Sequence, residues 1–317
     1  MSNPLPLVSI GMPVYNGEEF IRQALDSLLA QDYGNLELVI CDNASTDRTS
    51  QICQGYQARD NRVCYHRSEQ NLGMVGNFNR ALELSSGQYF MWAAHDDLWE
   101  PSYVSTLLAA LLSDSGSVLA FSAFDNINER GEAIRTYPDL FKLPPVDVFH
   151  RLRNYLVQEE HLGKANLIYG LMRRRAIQAV GGFTLWGKGS WGADMLVVFR
   201  LLSLGNLALS GKLLFHKRLV SPSVDSAPRS QGKTTSPIAC AVRCCSANRD
   251  WQGYFSGYAR IISGVESLTI GQKTRLRLAL SRRRAEICLR QGRKCILRPA
   301  VQWTRRHCRN LMFGKGS

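Results

Sequence analysis

Short apolar runs alternate with helical stripes through the first 125 residues of the chain. Five apolar runs predict strands, at Leu7–Met12, Leu36–Cys41, Val63–His66, Tyr89–Ala93 and Val118–Phe124. Apolar residues at helical spacing predict helices at Glu18–Ala30, Met74–Leu84 and Ser102–Leu112. This alternation predicts an α/β fold whose mostly parallel sheet carries helices on both faces.

Polar residues gather where three of these predicted strands end. They are Tyr15-Asn16, Asp42-Asn43 and Asp96-Asp97. In open α/β sheets, ligands bind beyond the carboxyl ends of the strands. The pattern therefore predicts a ligand site with several carboxylates within residues 1–125.

Three of the aspartates have both a structural and a chemical interpretation. Asp42 begins a turn that leads into a helix, or it accepts a hydrogen bond from a pyrimidine base. Asp96-Asp97 is an acidic turn, or it binds a hard divalent cation together with substrate phosphates. Asp194 precedes an apolar run, so it is either a helix N-cap or a general base.

The rest of the chain divides into three segments. Residues 126–225 are less regular and include a Gly- and Trp-rich loop, Trp186–Gly192, before Asp194. Residues 226–250 are interpreted as a linker, because Ser, Pro and Gly are frequent around 221–237. Residues 251–317 are predicted to form a basic, amphipathic helical tail.

The net charge of +13 belongs entirely to the end of the chain. Residues 271–317 contain fourteen Lys and Arg residues and one acid, Glu286, so the remainder is formally neutral. Arginines alternate there with apolar residues. Such a segment suits an anionic membrane surface, a nucleic acid, or packing of a solvated helix on the folded domain.

Composition excludes several other classes of protein. Nine cysteines occur without a CxxC pair, which argues against a structural zinc site and fits a reducing cytosol. The N-terminus lacks the pattern of a signal peptide, and no apolar run is long enough to span a membrane. Neither a GxGxxG motif nor a complete phosphate-binding loop is present.

Several short motifs together resemble the inverting family 2 glycosyltransferases of the GT-A fold. In chain order they are Leu7–Gly17, Asp42–Thr49, Asn71-Leu72-Gly73, Asn79, Gly87-Gln88-Tyr89, Asp96–Pro101, Gly181-Gly182-Phe183 and Ala193-Asp194. Each motif alone is weak, whereas their order and spacing make the resemblance specific. It covers residues 5–225 and implies a GT-A-like fold with a basic helical C-terminal extension.

The resemblance implies a role for each matching residue. It implies that Pro13, Tyr15 and Glu18 flank the nucleotide, with Asp42 on the base. Asn71 and Asp97 are further implied nucleotide contacts. Asp96 corresponds to the residue that ligates a divalent cation, Mn²⁺ or Mg²⁺, on the donor diphosphate, and Asp194 to the catalytic base. Residues 1–125 would then bind the nucleotide and 126–225 the acceptor.

The sequence departs from the family pattern at three positions. Ala94 replaces the first aspartate of the acidic motif, and Ala193 replaces an acid before the base. Val220 stands where a downstream histidine is expected. Nearby, His216 is a candidate metal ligand or a strand-edge histidine, and Arg218 is a candidate diphosphate contact. Trp186 and Trp191 are candidate acceptor contacts or packing residues.

These expectations combine into one functional hypothesis. The chain would move a sugar from a UDP- or dTDP-sugar to a hydroxyl of a glycan or lipid-linked acceptor, by single displacement with inversion. The protein would then take part in surface-polysaccharide synthesis at the inner face of the cell membrane. Residues 271–317 would contact anionic lipid, and nucleic acid is disfavoured as a partner. A catalytically degenerate nucleotide-sugar-binding or scaffold protein, a nucleic-acid-binding protein and a sugar-1-phosphate nucleotidyltransferase are the alternatives.

Overall fold

The computed structural model describes residues 5–138, 147–187, 190–220 and 237–287. Nine strands lie in this part of the chain. They are β1 Val8–Val14, β2 Leu36–Asp42, β3 Val63–Arg67, β4 Tyr89–Trp92, β5 Leu98–Trp99, β6 Ser117–Ile127, β7 Ala133–Tyr137, β8 Leu171–Arg173 and β9 Asn206–Arg218. All nine belong to one sheet, and the five strands predicted from apolar runs are β1–β4 and β6.

Nine α-helices accompany the sheet within the same residues. They are α1 Ile21–Leu29, α2 Thr49–Arg59, α3 Gly73–Glu83, α4 Tyr103–Ser113, α5 Val148–Val157, α6 Arg174–Ala179, α7 Ala193–Leu204, α8 Pro237–Gly264 and α9, residues 270–287. Two 3-10 helices, Glu160–Leu162 and Lys164–Tyr169, precede β8. The predicted α/β class is confirmed.

The strand order is β3-β2-β1-β4-β8-β6-β9-β5, with β7 paired to β6. The first four strands in this order are parallel, and β1 and β4 are buried throughout, as expected for strands covered on both faces. The other half of the sheet is mixed, because β8 runs antiparallel to both β4 and β6. The parallel half matches the predicted sheet. The mixed half contains β5, β7, β8 and β9, which sequence periodicity did not predict.

The C-terminal helices belong to the same hydrophobic core as the sheet. Tyr254, Tyr258 and Ile262 of α8 are buried, and so are Leu276 and Leu280 of α9. The aromatic ring of Tyr258 meets Phe199 of α7 edge to face, with 4.7 Å between centroids. The apolar side of residues 251–287 therefore faces the domain.

Two interpretations of the C-terminal sequence change as a result. Helix α8 begins at Pro237, so the second half of the predicted linker 226–250 is helical. From residue 238 to 252 this segment has no Gly or Pro to interrupt a helix. The predicted helical tail is helical over 251–264 and 270–287, whereas residues 288–317 lie outside the described part of the chain. None of the described helices has the length and apolarity needed to cross a membrane.

Candidate active site

Two adjoining cavities open beyond the carboxyl ends of the parallel strands. The strand-end cavity, about 580 Å³, is lined by residues that follow β1, β2 and β4, together with α3, Tyr169 and Lys217. The helix-side cavity, about 660 Å³, lies against α7, α8 and α9. Met74, Phe78 and Tyr169 line both, so these three side chains form the boundary where the cavities meet.

The loop after β1 is held in place by the loop after β2. Asn16 adopts a left-handed backbone conformation, with φ of 50°, and its N–H donates to Ser45 Oγ at 2.9 Å. The Gly17 N–H donates to Thr49 Oγ1 at 2.8 Å. A Cβ at Gly17 would lie 2.7 Å from the ring of His95, so only glycine fits without a shift. These contacts present Pro13 and Tyr15 to the strand-end cavity.

Four of the predicted nucleotide and metal residues line this cavity: Pro13, Tyr15, Asn71 and Asp96. Asn71 is fixed by Asn43, whose side-chain amide donates to Asn71 Oδ1 at 2.9 Å. Asn43 also accepts the Leu72 N–H at 2.7 Å. The amide pair therefore shapes the rim between β2 and α3.

Asp42 and Glu18 are instead engaged by protein groups. The Asp42 side chain is fully buried, and its carboxylate accepts from Tyr65 Oη at 2.6 Å and from the Ser45 N–H at 2.8 Å. Glu18 accepts from the backbone N–H of Arg48 at 2.9 Å. Neither residue is among those that line the strand-end cavity. Glu18 joins the loop after β1 to the loop after β2, whereas Asp42 joins the loop after β2 to β3.

The two adjacent aspartates point in different directions. Asp96 lines the cavity, whereas Asp97 is completely buried behind it. Asp97 accepts the backbone N–H of Arg218 at 2.9 Å, and Lys217 Nζ lies 3.1 and 3.0 Å from its two oxygens. Asp97 is thus an internal counter-ion of Lys217. Because Asp97 does not line the strand-end cavity, the structure does not support the predicted contact between this residue and the nucleotide.

Lys217 is a site residue that the sequence analysis missed. Its side chain lines the strand-end cavity, and its Nζ lies 4.0 Å from Asp96 Oδ1. Burial acts to lower the pKa of Lys217, but Tyr169, Asp97 and Asp96 outweigh burial and raise it. The ammonium group therefore stays charged. Alternation along β9 could have identified it, because 217 faces the opposite side from 216 and 218.

Arg218 and His216 have structural partners. Arg218 is 2% exposed and donates to the carbonyl oxygens of Asp96, Asn128 and Glu129 and to Gln23 Oε1. His216 Nδ1 lies 2.7 Å from Asp125 Oδ1, and its Nε2 lies 3.1 Å from Glu100 Oε1. The predicted diphosphate contact at Arg218 and metal ligand at His216 are therefore both turned away from the cavity.

The described residues do not fit a metal ion held by the protein. No three His, Cys, Asp or Glu side chains among them converge as ligands. In the part of the chain that the structure describes, Asp96 is the one carboxylate on the strand-end cavity, since Ala94 occupies the first position of the acidic motif. Lys217 Nζ, which is paired with Asp97, lies 4.0 Å from that carboxylate and would compete with a cation for it.

Asp194 lines the helix-side cavity at the first turn of α7. Its Oδ1 accepts the Met195 N–H at 2.7 Å. Burial raises the pKa of Asp194 to about 6, although the backbone N–H groups of Met195 and Asp194 lower it. Such a carboxylate is charged at neutral pH and takes up a proton more readily than an exposed one.

Gly192 and the aromatic residues around it shape this cavity. Gly192 has φ of 76°, and a Cβ there would lie 2.5 Å from the ring of Tyr254. Trp191 and Trp251 both line the cavity. Trp186 does not, because it packs on α8, where Gly257 allows close approach to its ring. The predicted loop Trp186–Gly192 includes residues 188–189, which lie outside the described residues.

Comparison with known proteins agrees with this architecture. The model of the family described as glycosyl transferase family 2 matches residues 9–177, more than half of the chain. An uncharacterized glycosyltransferase of Rickettsia typhi is 34% identical over 130 residues, which cover 41% of this chain and 40% of that protein. Glycosyltransferase GlyA of Streptococcus pneumoniae is 33% identical over 122 residues, 38% of this chain and 17% of that protein. The chain thus spans well under half the length of these curated relatives.

Solved structures show the same fold. S. aureus TarS 1-349 in complex with UDP-GlcNAc aligns with a TM-score of 0.64 and 18% identity, covering 88% of this chain and 72% of that one. A mannosyltransferase from Pyrobaculum calidifontis, in complex with GDP-Man and Mn²⁺, aligns with a TM-score of 0.54 and 16% identity, covering 98% of this chain and 81% of that one. The resemblance to family 2 glycosyltransferases noted in the sequence is confirmed: the chain belongs to glycosyl transferase family 2.

Proposed function

We propose that the chain transfers a sugar from a nucleotide-diphosphate sugar to an acceptor hydroxyl by single displacement, with inversion at the anomeric carbon. The observation that carries the proposal is the pair of adjoining cavities. One presents Asp96, Asn71 and Lys217, and the other presents Asp194. Tyr169 lines both, so a donor and an acceptor would meet beside it.

Asp194 would act as the general base. Its carboxylate accepts the acceptor proton while the acceptor oxygen forms a bond to the anomeric carbon. The bond from that carbon to the phosphate oxygen breaks on the opposite face, and its electron pair leaves with the nucleoside diphosphate. The support for this role is a carboxylate with raised pKa in a cavity that otherwise carries many apolar and aromatic side chains.

The donor would occupy the strand-end cavity, with the nucleotide against Tyr15 and Asn71. We propose a UDP- or dTDP-sugar as donor. UDP-GlcNAc in the TarS complex supports a nucleotide sugar on this fold, and GDP-Man in the mannosyltransferase makes GDP the first competitor to test. Since the protein groups do not fit a metal ion, no step here depends on a divalent cation.

The acceptor would occupy the helix-side cavity. Residues 1–125, together with Tyr169 and Lys217, would thus serve the donor, while the rest of 126–225 and the C-terminal helices would serve the acceptor. Trp191 and Trp251 offer aromatic faces to a sugar or to an apolar group of a lipid-linked acceptor. Hyaluronan synthase of Pasteurella multocida, 30% identical over 165 residues, which cover 50% of this chain and 17% of that protein, supports a polysaccharide-related acceptor.

We further propose that the arginine-rich face of α9 contacts an anionic membrane surface. Arg275, Arg277, Arg282 and Arg284 are exposed, whereas Leu276 and Leu280 face the domain. The contact would thus be electrostatic, without insertion of those leucines. Co-sedimentation with vesicles containing phosphatidylglycerol, compared with pure phosphatidylcholine, tests it. Equal binding to both vesicles, or binding that does not fall as salt rises, would contradict it.

Calorimetry with UDP, dTDP, GDP and ADP tests the proposed donor class. One pyrimidine diphosphate should bind, and Asn71→Ala should weaken its binding while leaving the fold intact. Glu69→Ala, at an exposed position just before this rim, is the matched control. Failure of all four nucleotides to bind a folded protein would overturn the proposal.

A further inference from the structure

Lys217 lines the strand-end cavity, where the diphosphate of the proposed donor would need positive charge. Its Nζ is held by the two oxygens of buried Asp97, at 3.1 and 3.0 Å. It also lies 4.0 Å from Asp96 Oδ1 and 5.3 Å from the centroid of the Tyr169 ring. An ammonium group has three N–H donors, and Asp97 lies on one side of it. At least one donor is therefore available to a ligand.

The position of Lys217 is fixed by its neighbours along the chain. Strand β9 pairs with β6 in the register Asn126↔Lys217. The next residue, Arg218, anchors the strand through its N–H to Asp97 and its Nε to the carbonyl oxygen of Asp96. Both ends of the Asp96-Asp97 turn are thus tied to β9. The ammonium cannot move far from the cavity without breaking the ion pair with Asp97.

The other candidates for binding the diphosphate charge are engaged elsewhere. Arg218 makes its hydrogen bonds on the far side of the strand, and His216 is paired with Asp125 and Glu100. Among the described residues that line the strand-end cavity, Lys217 is the cationic one and Asp96 the anionic one. His95 also lines it, but burial and Lys217 lower its pKa against the opposing effect of Asp96 and Asp47. It is neutral at pH 7.

We propose that Lys217 binds the diphosphate of the donor and stabilises the leaving nucleoside diphosphate, so that the nucleotide binds without a divalent cation. This inference rests on the proposed function. When the glycosidic bond to phosphate breaks, the electron pair stays on the phosphate oxygen. Lys217 donates a hydrogen bond to the diphosphate and keeps its proton, so no proton transfer from this residue is required.

The test is calorimetry of UDP and uridine in EDTA and in Mn²⁺. The variants are Lys217→Met, Lys217→Arg and the pair Lys217→Met with Asp97→Asn, which removes the buried ion pair without leaving Asp97 charged and unpaired. Lys212→Met, on an exposed part of the same strand, is the matched control. Thermal unfolding of each variant verifies the fold. If only the single methionine variant fails to fold, the double variant provides the measurement.

We expect UDP to bind the native protein equally in EDTA and in Mn²⁺. Lys217→Met and the double variant should weaken UDP about 10- to 100-fold, the range of a charge-assisted hydrogen bond, while uridine affinity stays the same. Lys217→Arg should retain part of the affinity, and Lys212→Met all of it. UDP binding that requires Mn²⁺, or that is unchanged in the folded Lys217→Met variants, would overturn this inference but leave the proposed function standing.

A different result would mark failure of the proposed function itself. If UDP, dTDP, GDP and ADP all fail to bind the folded native protein in both buffers, the strand-end cavity is not a nucleotide site. The role of Lys217 then fails with it.

Discussion

The indole rings of Trp191 and Trp251 lie 4.0 Å apart between centroids, tilted by 54°. Trp191 belongs to the loop before the catalytic-base candidate, whereas Trp251 belongs to α8. Both line the helix-side cavity, and Ile287 of α9 lines it too. The C-terminal helices are therefore part of the wall around Asp194, in addition to any contact they make outside the domain.

Replacing Trp251 by Ala should weaken the acceptor and spare the donor. Loss of one aromatic face should raise KM for a glycan or lipid-linked acceptor on the order of tenfold. The dissociation constant of the nucleotide should not change, because Trp251 does not line the strand-end cavity. Steady-state kinetics at saturating donor measure the effect.

Trp186→Phe is the control for Trp251→Ala, since Trp186 packs on α8 outside the cavity. Trp186→Phe should lower the free energy of unfolding and leave the KM of the acceptor nearly unchanged. An equal rise in acceptor KM for both variants would mean that the cavity is not the acceptor site.

Deletion of α9 should damage the fold. Leu276, Leu280 and Ile287 are buried, and burial of each contributes about 1.5 to 3 kcal/mol. Arg283, which pairs with Glu160, would also be lost. A chain that ends at residue 269 should melt well below a chain that ends at residue 287.

Thermal unfolding followed by circular dichroism compares the two truncated chains. Equal melting temperatures for both would show that α9 contributes no packing energy.

Asp194→Asn should remove catalysis and preserve nucleotide binding. The amide cannot accept the acceptor proton, and loss of a general base lowers rates by about 10²- to 10⁴-fold. In the native protein the rate should rise with pH through about 6, because burial raises the pKa of Asp194 to that value and only the carboxylate is a base. Initial rates from pH 5 to 8 measure the inflection.

The same substitution should affect stability in a pH-dependent way. The folded-state pKa of Asp194 is raised above its unfolded value, so native Asp194 destabilises the fold fully above about pH 6 and less below it. Asp194→Asn should therefore raise the melting temperature more at pH 7.5 than at pH 5. A larger gain at pH 5 would contradict the raised pKa.

Arg218→Met should destabilise the domain, and this effect should not depend on contact with the nucleotide. Four acceptors, on Asp96, Asn128, Glu129 and Gln23, lose their donor inside the protein. A loss on the order of 3 kcal/mol in the free energy of unfolding is expected. Urea titration measures it, with exposed Arg130→Met as the control. If Arg218→Met kept the native stability but lost affinity for UDP, the prediction would be contradicted. Arg218 would then again be a candidate contact for the diphosphate.

Strong local patterns predicted the parallel half of the sheet. Strands β1, β2 and β4 are compact apolar runs, and the apolar face of α1 recurs at helical spacing, so their interiors are recognisable without any tertiary information. Helix α2 has no such face, because its residues Thr49–Arg59 are mostly polar. Strand β8 has three residues, too few for a periodic signal.

The direction of each site side chain could not be predicted from motif position. Asp96 and Asp97 are adjacent, yet one faces the cavity and the other is buried against Lys217. The choice between Lys217 and Arg218 depends on the register of β9 against β6, which is a long-range pairing. Likewise, Trp251 reaches the helix-side cavity only because α8 packs on α7.

The account depends most on inversion with Asp194 as the base. The direct measurement is ¹H NMR of the free sugar that the enzyme first releases when it hydrolyses an α-linked UDP-sugar, with water as acceptor. The account predicts that the β anomer appears first, before mutarotation, and that Asp194→Asn binds UDP normally but releases no sugar. Initial release of the α anomer, or undiminished release by Asp194→Asn, would contradict it.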